Sequence, residues 1–252
     1  MTPEHDDSTT ALDPRTYPDL APDAGDPLAA LARTAAEQDL TLPPIRPWGH
    51  WSASQDPLSV AVESDRGVCV VEFARGGHAI RARFTKPWIG NVATADDLTL
   101  AATVALLEAW DRPLPLDAMT ELWPALAVDP FALALEQGRA LSHRWQEVRA
   151  LPAETIDKDL VEAAYATPEL RALYPLVSHA ALSFSDTPLP PHPAHFPRAT
   201  PRGAGQGWLV GRQNENASTH TAEPTAATAA AALARLLPPH GDGPAGSPEG
   251  TG

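Results

Sequence analysis

Thr167-Pro168-Glu169-Leu170-Arg171-Ala172-Leu173-Tyr174-Pro175-Leu176-Val177-Ser178-His179-Ala180-Ala181-Leu182-Ser183-Phe184-Ser185 holds a helical turn, a stop and a strand in one unbroken run. Thr167 is placed to cap a helix beginning at Pro168, because proline's fixed φ suits a first turn and its missing N–H is not needed there. Leu170 and Leu173 then fall on one face, and Pro175 cannot continue the helix. Leu182 and Phe184 alternate with Ser183 and Ser185, the period of a half-buried strand. A capped turn passing directly into an alternating strand predicts an α+β fold.

Upstream, the middle of the chain reads as helical. Leu116 to Leu126 and Pro130 to Leu151 carry apolar residues three and four apart, with Leu133, Leu141, Trp145 and Val148 among them, and Ile156 to Tyr165 continues the pattern. Ahead of it lies an antiparallel three-stranded meander. Leu58, Val60 and Val62 alternate, Ser64-Asp65-Arg66-Gly67 turns, Val68 to Phe73 returns, Arg75-Gly76-Gly77 turns again, and His78 to Thr85 completes it. Ile80, Ala82 and Phe84 are expected inside, with Arg81 and Arg83 outside. One apolar sheet face needs a helical cover, and Thr94-Ala95-Asp96-Asp97 is expected to cap a helix running through Leu98, Ala101, Ala105 and Leu106 to Trp110. An earlier helix, capped by Asp26-Pro27, runs to about Asp39 and ends before Pro43-Pro44.

Downstream of the opening stretch come a proline-rich loop from Pro188 to Pro201, a short strand from Gly207 to Arg212, and a last helix from about Glu223 to Leu237. The divisions expected are a disordered acidic, Pro-rich tail (1–25) with too little apolar surface to order it, an N-terminal αβββα unit (26–112), a helical segment plus a second, smaller strand–helix unit (113–238) packed with the first as one composite domain, and a disordered Gly/Pro/Ser tail (239–252). A strand, then Thr94-Ala95-Asp96, then an Ala-rich helix closing on Pro113 is echoed by a strand, Thr221-Ala222-Glu223 and an Ala-rich helix closing on Pro238. The echo fits a degenerate duplication, and it equally fits two helices alike in composition alone.

Pro168-Glu169-Leu170-Arg171-x-Leu173-Tyr174-Pro175, Ser178-His179-x-x-Leu182-x-Phe184-Ser185 and Leu236-Leu237-Pro238 also carry a resemblance. The chain is similar to an actinobacterial family, a domain of unknown function whose members are labelled natural product biosynthesis proteins, over roughly residues 27–245. The resemblance implies a place in a biosynthetic pathway and supplies no activity, mechanism or catalytic residue. Ala180 departs from it, standing where such chains often carry an aromatic residue.

Charge narrows the partners. The formal charge is −14, but residues 1–26 hold seven acids against Arg15, and the C-terminal tail adds Asp242 and Glu249, so about −6 belongs to residues 27–238. Lys86 and Lys158 are the only lysines. Such a surface argues against binding a phosphate backbone, which needs clustered cations. Cys69, the single cysteine, sits among Val68, Val70 and Val71 and reads as a small core hydrophobe. No apolar run approaches the ~20 residues of a membrane span and no signal-like start is present, so a cytoplasmic protein is expected.

The candidate catalytic residues are His179, beside Ser178 at the mouth of a strand, and His50. No Gly-x-Ser-x-Gly elbow supports a hydrolytic triad, and His179 reads better as an enclosed group fixing the turn after Pro175. His192 and His195, with His50 or His78, have a spacing that a metal could use, but their extended Pro-rich loop and the lack of clustered cysteines argue against a site, so no metal is assigned. His143 reads as a surface or interface residue of a helix. No glycine-rich loop opens a helix with phosphate-cradling spacing, so no cofactor is implied. Trp48, His50, Trp51, Arg81 and Arg83, with Trp88 nearby, are the candidate ligand-binding residues, because aromatic and Arg side chains are favoured on recognition surfaces. Alternatively, the tryptophans cover the open edge of the sheet.

These observations point to a non-catalytic accessory or binding protein of bacterial natural product biosynthesis, whose partner is a protein or a small-molecule pathway intermediate. The other reading is a cofactor-independent enzyme with a histidine general base. The pocket is expected near Trp48, His50 and Arg81.

Overall fold

Asp26 starts the first helix: its carboxylate accepts the Leu28 N–H, Pro27 fills the first turn, and α1 (Pro27–Glu37) follows. In this computed structural model the described residues are 11–237 except 14, 49–57, 75–78, 113, 193–195, 204, 213–214 and 216–218. The fold is α+β, and the chain divides into two compact units, residues 1–137 and 138–252.

The first unit is built on an antiparallel sheet whose six strands lie in chain order: β1 (Ile45–Pro47), β2 (Leu58–Ser64), β3 (Gly67–Phe73), β4 (Ile80–Lys86), β5 (Gly90–Ala95) and β6 (Leu126–Val128). The expected meander is β2 to β4, with the Arg75-Gly76-Gly77 turn outside the described residues. The register pairs Phe73 with Ile80, Val71 with Ala82 and Cys69 with Phe84, and all six are buried, while Arg81 and Arg83 point out. Gly67 opens β3 at φ +133°, where a Cβ would lie 2.0 Å from the Thr85 carbonyl oxygen, so only glycine fits that approach. α2 (Leu100–Asp111) packs with α1, β2 and β4, and its Trp110 ring lies 4.8 Å from Phe84.

Five expectations about this half are corrected. Thr94 and Ala95 do not open the helix but finish β5, because Ala93 and Ala95 gain burial opposite Phe84 and Ala82. Asp97 turns the chain at φ +55°, and Thr99 is the cap, its Oγ1 accepting from Ala102 N. The segment 116–126 is not one helix, since α3 (Leu116–Leu122) ends at Trp123 and β6 then pairs with β5, placing Leu126 opposite Ala95. α4 (Pro130–Glu136) also stops early, before Gly138 at φ +67°. This pairing places 116–136 with the first sheet, so the unit boundary falls after 137, later than the expected 112/113.

The fifth correction concerns the N-terminal tail. Residues 1–10 lie outside the described set, but Leu12, Tyr17 and Leu20 belong to the core, and Pro18–Asp23 forms a 3₁₀ turn. The Tyr17 hydroxyl hydrogen-bonds the carbonyls of Ala74 (2.6 Å) and Ala79 (3.1 Å), and its ring meets Phe73 edge-on. Composition averaged over the tail hides this, because three buried apolar side chains are enough to anchor a short segment.

The second unit begins with helices: α5 (Ala140–Ala150), α6 (Lys158–Ala166) and α7 (Pro168–Arg171). A five-stranded antiparallel meander follows, composed of β7 (Tyr174–Ser178), β8 (Ala181–Ser185), β9 (Pro197–Pro201), β10 (Trp208–Arg212) and β11 (Thr221–Glu223), and α8 (Ala226–Arg235) packs on it. Within the deciding stretch, Leu182 and Phe184 are buried as expected and Ser183 is half-buried. Ser185 is fully enclosed too, its hydroxyl accepting the Thr187 N–H and lying 3.3 Å from His192 Nδ1. Thr167 does not cap by side chain; its hydroxyl donates to the Ala163 carbonyl instead. His179 and Ala180, at φ +51° and +61°, form the two-residue turn between β7 and β8.

The proline-rich loop hides a strand. Pro197 and Pro201 bracket β9, and Ala199 between them pairs with both Leu182 and Val210. Prolines at strand ends remove little from the ladder, so the strand survives a composition that reads as loop. Thr221-Ala222-Glu223 is β11 rather than a cap; Thr225 caps α8 in a reciprocal box with Thr228. Both units thus run from helix through an antiparallel meander to a Thr-capped, Ala-rich helix.

Candidate functional site

Leu141, Trp145 and Arg149 recur every fourth residue of α5, and that spacing sets them on one helical face. Trp145 is buried, and its Nε1–H donates to the carbonyls of Arg171 (3.0 Å) and Leu173 (3.1 Å), tying α5 to the end of α7. Tyr165, near the end of α6, meets Trp145 edge-on at 5.3 Å. These three helices border a half-open cavity of about 420 Å³ lined by Leu141, Trp145, Tyr165 and the arginines 139, 149 and 171, with Gly138, Ser142 and Gln146 completing the wall. A Cβ at Gly138 would meet nothing within 4 Å, so the chain enters α5 beside open space.

The arginines differ in what they hold. Arg149 grips Glu162 through Nε (2.8 Å) and Nη2 (2.9 Å), and its guanidinium lies 4.3 Å from the centre of the Tyr165 ring. The hydrogen bond from Arg149 holds the Glu162 carboxyl below its ordinary range, and the same contact raises Arg149 further. Arg171 stands 5.8 Å from the same ring and forms no ion pair among the described residues. Of the two guanidiniums at the Tyr165 ring, Arg149 therefore holds Glu162 and Arg171 holds no carboxylate among the described residues, on a chain whose overall charge is −14.

Guanidinium stays charged and only donates, the Ser142 hydroxyl donates to the Arg139 carbonyl, and no His, Cys, Asp, Glu or Lys lines the wall. A general base needs a group that titrates near working pH. A larger hollow of about 530 Å³ in the first unit is lined by Tyr17, Leu20, Ile80 and Leu98 with Asp19 and Asp97. It contains no cation, and its one aromatic hydroxyl is held by backbone carbonyls.

The candidates chosen from sequence lie elsewhere. His179 is exposed at the β7–β8 turn, with Nδ1 2.9 Å from Ser178 Oγ, so it is not the enclosed group expected, and it lines none of these cavities. His50 and Trp51 lie outside the described residues, as do His78 and His195. Trp48 is 38 % exposed beneath the Arg46 guanidinium, and its N–H donates to the Ser59 carbonyl. Through the pairs Ser59–Glu72 and Glu72–Arg81 it shares the outer sheet face with Arg81. Three strand spacings separate them, however, or about 14 Å. Arg81 is bound to Asp96 and Arg83 to Glu72, so among the described residues both guanidiniums are engaged in ion pairs, and Trp48 lines none of these four cavities. His143 Nε2 lies 3.4 Å from Glu147, and no three His, Cys, Asp or Glu side chains converge among the described residues. Cys69 is fully enclosed, and burial pushes its thiol pKa up, away from reactivity. No helix among the described residues is long and apolar enough to cross a membrane.

Sequence reasoning weighed Trp145 and Leu141 only as core and passed over Arg149, Tyr165 and Arg171. The fourfold spacing of Leu141, Trp145 and Arg149 was the available signal. Nothing in the sequence announces that α6 and α7 bring Tyr165 and Arg171 to that face.

Residues 139–248 match the model of a family of unknown function, DUF6193. The match coincides with the second unit, is shorter than the 27–245 implied by the resemblance, and contains every cavity residue except Gly138. No curated protein and no solved structure matches the chain.

Proposed function

We propose that this protein is a non-catalytic binding protein that captures a small organic ligand in the cavity of its second unit, as a cytoplasmic accessory of bacterial natural product biosynthesis. The cavity carries the proposal: aromatic walls and fixed cations suit recognition, and no lining group is suited to proton transfer near neutral pH. Its volume of about 420 Å³ lies within the usual range of small-molecule sites. The biosynthetic setting rests on the resemblance carried by Pro168 to Ser185, a stretch that includes Arg171 of the cavity wall.

Ligand-observed NMR with a library of aromatic fragments tests the reading on the full chain. Fragments should bind at one site, be lost in Tyr165→Leu, and return chemically unchanged after prolonged incubation. Binding that is indifferent to Tyr165→Leu, or steady consumption of a fragment, would overturn it.

A further inference from the structure

We infer that the cavity selects an aromatic acid, a carboxylate or phosphate monoester on a planar ring, and that Arg171 receives its anionic group; this rests on the ligand-binding reading above. The two arginines at the Tyr165 ring are not equivalent. Arg149 already holds a carboxylate in the bidentate geometry that guanidinium prefers, so Glu162 stands where an external anion would otherwise sit. Arg171 lies at the same ring, lines the same cavity and has no carboxylate among the described residues. A ligand anion docked there gains a charge-assisted contact without displacing an internal partner.

The rest of the ligand is specified by the walls. Trp145 is locked by its two carbonyl contacts, Tyr165 is held against it, and Leu141 is 36 % exposed beside them. A bare inorganic anion would leave the accessible surface of Tyr165 and Leu141 wet. A planar ring covers them while its acid reaches the guanidinium, since Arg and aromatic surfaces both favour stacking. Glu162, which is exposed, then acts as an internal competitor for Arg149 and limits how much negative charge the site accepts.

Isothermal titration of the full chain with 1-naphthoate, 1-naphthyl phosphate and neutral 1-naphthylmethanol tests the assignment. The two anions should bind about tenfold more tightly than the alcohol, and their ratio identifies carboxylate or phosphate as the preferred group. Arg171→Gln should erase the preference, weakening both anions about tenfold more than the alcohol. Glu162→Gln, by freeing Arg149, should strengthen both anions several-fold, the phosphate more. Arg171 and Glu162 are exposed, so both variants should fold, and far-UV circular dichroism checks that. Equal affinity for all three probes, or an anion preference that survives Arg171→Gln, overturns this inference and leaves the ligand-binding reading standing. Absence of binding by all three probes together with the aromatic fragments overturns both.

Discussion

In the first unit the arginines of the sheet sit beside acids, Arg46 with Glu63, Arg83 with Glu72 and Arg81 with Asp96; in the second, Arg149 and Arg171 stand at one aromatic ring, and of these two Glu162 answers Arg149 while Arg171 has no acid among the described residues. The contrast follows from secondary structure. Antiparallel strands set each side chain about 5 Å from a cross-strand neighbour, so an alternating Arg on one strand readily meets an acid on the next. Helices α5 and α7 instead bring Arg149 and Arg171 from separate parts of the chain to one hollow, where α6 supplies Tyr165 and the single acid Glu162 to Arg149. Cationic residues by themselves therefore mark no site. A local deficit of acids around converging cations, with aromatic surface between them, does.

The contrast requires both units to be held by their apolar cores, with surface charge contributing little. Phe184→Ala in the second unit and Phe84→Ala in the first should each cost about 3–5 kcal/mol, since both rings are enclosed. Chemical denaturation measures this, and a melting temperature within a degree of wild type for either variant would break the premise. Leu20→Ala should cost about 3 kcal/mol by the same mechanism. A neutral result there would return residues 11–25 to the status of a tail that the core does not need.

The smallest effects separate two kinds of ion pair within the first unit. Glu136 accepts from Leu116 N, Lys86 Nζ and Arg66 Nη2. Burial pushes its pKa up, but those partners outweigh burial and leave it below the ordinary value of 4.5. A lowered folded-state pKa means the stabilisation is complete above pH 4.5 and is lost as pH falls through the folded value. Glu136→Gln should therefore cost about 1–2 kcal/mol at neutral pH, and the variant should converge with wild type in acid. Asp96→Asn, which breaks an exposed pair, should cost less than about 1 kcal/mol. A larger loss for Asp96→Asn than for Glu136→Gln would show the outer ion pair to be structural.

Local signals were read well where a residue acts on its own neighbours. Asp26-Pro27 caps α1, β2 to β4 form the expected meander, β4 alternates with Arg81 and Arg83 outward, and Leu182 and Phe184 point inward. They failed where burial by distant residues overrode local preference. Thr94 and Thr221 look like caps but complete strands, because the sheet extends to include them and the true caps, Thr99 and Thr225, follow a few residues later. β6 and β9 were missed because three- and five-residue strands next to prolines lack enough alternation to stand out.

The sequence alone determined the α+β class, the main meander and the packing face of the deciding stretch, since each depends on the spacing of apolar residues along one segment. Tertiary structure alone decided the cavity. Arg149, Tyr165 and Arg171 are separated in the chain and become one surface only when α6 and α7 fold against α5 and Trp145 hydrogen-bonds the backbone at Arg171 and Leu173. The periodicity of one helix reports which face is apolar; it carries no information about which other helix closes over that face.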